Sequence, residues 1–99
     1  MRIIQKLKAK AENMYGAPPV TIAFLGDSVT QGCFECYKKG NTIDTVFDGA
    51  SGYSARLREM LQLIYPNVQL NVINAGISGD TAEGGEKRFA RDVAPYSPD

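Results

Sequence analysis

At 99 residues, the chain is long enough for one small domain and no more. Apolar residues make up 43% and charged residues 22%, and 11 lysines and arginines balance 11 aspartates and glutamates; this excludes a disordered or fibrous chain and gives no reason to expect nucleic acid or a membrane surface as partner. There is no histidine, the usual general base near neutral pH.

Ile3, Ile4, Leu7, Ala11 and Met14 recur at helical spacing with lysines between them, which predicts an amphipathic helix over 2–14. Its basic residues, Arg2, Lys6, Lys8 and Lys10, are expected to solvate the outer face. Gly16 can end that helix, and Pro18-Pro19 cannot continue it. VTIAFL, 20–25, is short, β-rich and almost wholly apolar, as a strand buried on both faces of a parallel sheet would be. Residues 29–50 carry Gly32, Gly40, Asn41, Asp48 and Gly49 and read mostly as a long loop, of a kind that is often functional or mobile. Tyr53, Leu57, Met60, Leu61 and Ile64 mark one face of a helix over 51–64, closed by Pro66-Asn67. VQLNVIN, 68–74, reads as a second strand, and the glycine-rich AGISGDTAEGG follows it. Ala82, Phe89, Ala90 and Val93 predict a last helix over 82–94, stopped near Pro95, with Asp80 as its N-cap and Glu83 as the N3 partner. No apolar run reaches the roughly 20 residues of a membrane helix. The N-terminus also lacks the apolar stretch of a secretory signal, so the cytoplasm is the expected location.

Helix, strand, helix, strand, helix is the order of a parallel α/β unit with a right-handed crossover. In such sheets ligands sit beyond the carboxyl ends of the strands. Both glycine-rich turns belong there: Gly26-Asp27-Ser28 ends the first strand, and Gly76 to Thr81 follows the second. A serine just past a buried strand is held with its hydroxyl toward the cleft, and Gly26 permits a tight turn before it. If residues 28–32 begin a helical turn, the N–H of Ser28 points the same way. Gly79, without a Cβ, lets its N–H approach a substrate closely, as an oxyanion donor must. Asp27 is assigned to the turn and Asn74 to a local hydrogen bond near the second turn. Glycine, aspartate and serine are also ordinary turn residues. A flavodoxin-like phosphate or nucleotide binder, or a catalytically inactive interaction module, would use the same turns. Cys33 and Cys36 form a C-x-x-C, but in a stretch read as loop, without the helix N-terminus that lowers a redox thiol's pKa, so they are expected to be two reduced cysteines. A structural zinc needs four ligands, and no further cysteine or histidine completes a set. No metal or other cofactor is implied.

Taken together and in order, FLGDSVTQG and VINAGISGDTAEGG resemble the two N-terminal blocks of the SGNH (GDSL) hydrolase family. The resemblance covers roughly residues 19–99, with residues 1–15 as an additional helix. It implies a three-layer, flavodoxin-like α/β fold and a serine esterase acting on a small-molecule ester. Ser28 would be the acyl-accepting nucleophile and one oxyanion N–H, with Gly79 as the other. Carbohydrate acetyl esters, small acyl esters, thioesters and lysolipids all occur in the family. Its later blocks, Gly-x-Asn-Asp and Asp-x-x-His, do not occur among these residues. The resemblance therefore implies the N-terminal portion of a single domain, its sheet incomplete and its histidine base and orienting acid missing, inactive alone. In the family's sheet order the first strand has a neighbour on each side. One of those neighbours is missing here, so the free edge is expected to pair with another copy or with the C-terminal part.

Overall fold

The structure, a computed structural model, describes all 99 residues. Helix α1 (Arg2–Glu12) ends at Asn13, before the Pro18-Pro19 break. Its Leu7 is fully buried and joins Val20, Leu61, Val68 and Leu70 in the main apolar cluster. One side of this helix is not solvated as the lysine pattern suggested. Lys10 is buried, and its ammonium donates to the carbonyls of Met14 and Ala17, the latter at 2.6 Å. The chain reversal after α1 leaves those carbonyls without helical partners, and the lysine stem reaches them along the apolar face. Lys6 pairs with Asp99.

Strands β1 (Val20–Gly26) and β4 (Leu70–Gly76) form a two-stranded parallel sheet, in register from Val20 opposite Leu70 to Gly26 opposite Gly76. β4 starts two residues later than the apolar pattern suggests because Val68 is used in the turn before it, its N–H donating to Tyr65 C=O at 3.2 Å. Side chains alternate across the sheet. On one face Val20 joins Leu61 of helix α3 (Tyr53–Ile64) in the apolar cluster, and Phe24 meets the α3 residue Tyr53 edge-on, ring centres 5.4 Å apart. On the other, Leu25 packs beneath Gly85 of helix α4 (Ala82–Asp92). The result is an α/β fold with helices on both faces of a parallel sheet, a partial form of the three-layer, flavodoxin-like architecture. No helix is long and apolar enough to cross a membrane.

The stretch read as loop contains regular structure. Residues Ser28–Gln31 make a single helical turn, α2. Strands β2 (Cys33–Lys39) and β3 (Thr42–Phe47) then form an antiparallel hairpin, separate from the parallel sheet and turned at Gly40-Asn41. Turn glycines and asparagines gave the segment a loop's composition, yet in this position they are hairpin residues between two β-rich runs. A 3-10 turn over Gly49–Ser51 leads into α3, held by Asp48, which accepts from the Ser51 hydroxyl at 2.7 Å.

β1 has one open edge. In a parallel pair alternate residues bond to the partner strand, so Thr21, Ala23 and Leu25 face outward. Thr21 is satisfied by the C-terminal residue: its C=O accepts from Asp99 N–H at 2.8 Å, and its N–H donates to Asp99 Oδ2 at 2.9 Å. Beyond it, a trough of about 510 Å³ runs along the strand, lined by Ile22, Phe24, Leu57, Phe89 and Val93 among others.

Candidate active site

Gly26 and Gly76 lie opposite each other at the carboxyl ends of the two strands, and α2 sits directly on them. A Cβ on Gly76 would fall 2.2 Å from the backbone nitrogen of Gln31; one on Gly26 would fall 2.2 Å from Thr30 Oγ1. Gly26 does not have a positive φ. Its smallness serves this close approach rather than a tight turn. Thr30 is itself buried and fixed by a 2.7 Å hydrogen bond to Tyr53 Oη.

Asp27 is the N-cap of α2, its Oδ1 accepting from Val29 N–H at 3.0 Å. Ser28, half-buried, is the first residue of the turn. The first helical bond there runs from Gln31 N–H to Asp27 C=O, so Ser28 N–H precedes the bonded part of the turn. Gly32 closes α2, donating to Ser28 C=O at 3.0 Å.

The second turn is fastened to the first. Ile77 N–H donates to Gly26 C=O at 3.0 Å, and Ser78 N–H to Gln31 Oε1 at 2.7 Å. Asp80 N–H closes on Ile77 C=O at 3.1 Å, while Gly79 N–H donates to no backbone carbonyl. Gly79 is exposed, has φ 80°, and a Cβ there would meet nothing within 4 Å. Its backbone conformation, not a lack of room, is what favours glycine. Asn74 Oδ1 accepts from Gly76 N–H at 3.0 Å.

The N-cap of α4 is Thr81 rather than Asp80: Thr81 Oγ1 accepts from Gly84 N–H at 3.1 Å, and Glu83 pairs with Lys87 at 2.7 Å instead of reaching back. Asp80 is taken by the buried Arg88, whose Nε lies 2.7 Å from its Oδ2. The same guanidinium donates to Ala75 C=O at 2.7 Å, Gly26 C=O at 3.0 Å and Asp92 Oδ2 at 3.1 Å. One side chain thus ties the ends of both strands to the second turn. The hydrogen bond from Arg88 holds the Asp80 carboxyl below the usual carboxylate range. Arg91 and then Arg88 push Asp92 down to about 2.

Sequence reasoning placed Gly26, Asp27, Ser28, Asn74 and Gly79 in two turns at one sheet edge, and the structure brings those turns together. The sequence pattern does not single out Gln31 or Arg88, and it marks Gly76 only as the start of the second turn. For Arg88 a signal existed: Asp92 stands one helical turn on, at ion-pair spacing. Gln31 carries none, because its partner lies 47 positions away. Cys33 and Cys36 lie in β2, not in a loop. No histidine occurs among the 99 residues.

No protein-family model matches the chain. An acetylxylan esterase from Geobacillus stearothermophilus is 33% identical over 78 residues, 79% of this chain and 34% of that protein. Among solved structures, a two-domain esterase active on acetylated mannans superposes with a TM-score of 0.66 at 28% identity, over 95% of this chain and 22% of the other. The lipase/acylhydrolase from Enterococcus faecalis gives 0.56 at 29% identity, over 81% and 35%. The chain spans about a third of the length of the acetylxylan esterase it matches.

Proposed function

We propose that this chain, similar over most of its length to SGNH-type esterases, supplies the nucleophile half of a serine ester hydrolase. Ser28 Oγ attacks the ester carbonyl carbon, and its proton passes to a base. The N–H groups of Ser28 and Gly79 hold the oxyanion, the alcohol leaves with a proton, and water then releases the acid from the acyl-serine. Asp27 and Asn74 shape the two turns and transfer no proton. The base and the acid that orients it come from outside these 99 residues, so the chain by itself does not turn over.

One observation carries this reading: the in-register pairing that ends at Gly26 and Gly76, which sets the Gly-Asp-Ser turn beside a turn with a free glycine N–H. The substrate class we favour is a carbohydrate acetyl ester, supported by the two polysaccharide-ester relatives. The test uses the natural gene product with whatever sequence follows Asp99. It should release acetate from acetylated xylan or mannan faster than it cleaves a long-chain acyl ester, and a serine-directed phosphonate should label Ser28. Ser28→Ala should lower kcat by several orders of magnitude. Undiminished hydrolysis in Ser28→Ala would overturn the nucleophile; a preference for the long acyl chain would overturn the substrate class alone.

A further inference from the structure

In a regular strand, residues three apart point to opposite faces and lie about 10 Å from one another. Cys33 and Cys36 do neither. The pairing of β2 with β3 slips between Cys33 and Glu35, leaving Phe34 as the extra residue of a β-bulge. The bulge turns Cys33 onto the face of Cys36, and their Sγ atoms stand 3.5 Å apart. Both thiols are free; Cys36 is exposed and Cys33 half-buried. Thr45 Oγ1, across the hairpin, lies 3.8 Å from Cys36 Sγ.

We propose that Cys33 and Cys36 are a reversible dithiol–disulfide couple that exchanges with small-molecule disulfides of the glutathione type. The Cys36 thiolate, on the open side, attacks one sulfur of the small disulfide. That S–S bond breaks, and one small thiol leaves with a proton. Cys33, losing its own proton, attacks Cys36 Sγ in the mixed disulfide and expels the second small thiol. Two protein thiols and one disulfide become one protein disulfide and two thiols, so the protein gives up two electrons and two protons. To bond, the sulfurs close from 3.5 Å to about 2.05 Å. The hydrogen bond to Cys36 holds the Cys33 thiol above its ordinary range, which fits Cys33 as the second thiol to react. The ring spans so few residues that it adds little loop-closure stabilisation, and an exposed disulfide is readily reduced. Both properties suit a couple that opens and closes better than a permanent staple. Because Cys33 follows Gly32 directly, closing the ring fixes the bulge at the root of the hairpin.

The experiment equilibrates the 99-residue protein in buffers of varied oxidised-to-reduced glutathione ratio, traps free thiols with iodoacetamide and measures intact mass. The expected species lacks the trapping groups and is lighter than the dithiol form by about 2 Da, in a fraction unchanged over an approximately tenfold range of protein concentration. Cys33→Ser and Cys36→Ser, each checked for native circular dichroism, should instead hold one glutathione. Wild-type protein that carries two glutathiones, forms intermolecular disulfides that rise with concentration, or stays fully reduced at the oxidised end would overturn the proposal.

Discussion

Arg88 reaches four acceptors, two of them backbone carbonyls at the strand ends and two of them carboxylates. The carboxylates prefer the charged form in the folded state, as Asp80 and Asp92 both show by their lowered pKa values. A depressed folded pKa contributes stability above the unfolded pKa and loses it as pH falls through the folded one. For Asp92 that window runs from the ordinary 3.8 down to about 2. Asp99, paired with Lys6, shifts in the same direction. The urea midpoint should therefore be level above about pH 4 and drop between about pH 4 and pH 2. Asp80→Asn should start lower and fall less steeply over that window; an unchanged slope would show that the Asp80–Arg88 pair does not set the acid response.

At the scale of elements, the candidate site depends on a four-residue helix too short to stand alone. It is held by what it touches, and its closest contact is the backbone of Gln31 over Gly76. Gly76→Ala forces that backbone away and should cost about 1–3 kcal/mol or more. Gly49→Ala, where a Cβ meets nothing within 4 Å, should stay within about 0.5 kcal/mol of wild type. Urea unfolding of the two variants checks this, and equal losses would mean that α2 yields without cost. Much of this was legible in advance. Apolar runs and helical spacing give both parallel strands and the three longer helices to within two or three residues, and the two glycine-rich turns are read at the one sheet edge where the structure brings them together. Elsewhere local composition misled. Gly40-Asn41 looks the same in a loop and in a hairpin, and only cross-strand pairing separates them. Asp80 is as good an N-cap by type as Thr81, and what decides between them is Arg88, eight positions on. Lys10 looks like any other exposed helix lysine until the chain folds back on it.

For the molecule as a whole, the two-stranded sheet leaves an open edge on each strand, and that of β1 lies beside an apolar trough. Asp99 covers Thr21, but the outward groups of Ala23 and Leu25 stay unpaired beside an apolar trough. Such an edge is a template for another strand, so the 99-residue chain should self-associate. Light scattering should give a mass above the 10.8 kDa of one chain; a monomer with slow amide exchange across residues 20–25 would sink this expectation. The projecting β2–β3 hairpin decides how that measurement must be made. It stretches the chain to 56 × 29 × 20 Å with a radius of gyration of 16.2 Å, against about 13 Å for an ordinary domain of 100 residues. Hydrodynamic drag follows shape as well as mass. Even a single chain will therefore elute early from a gel-filtration column, with the retention of a heavier sphere. It will also tumble anisotropically, more slowly end over end than about its long axis.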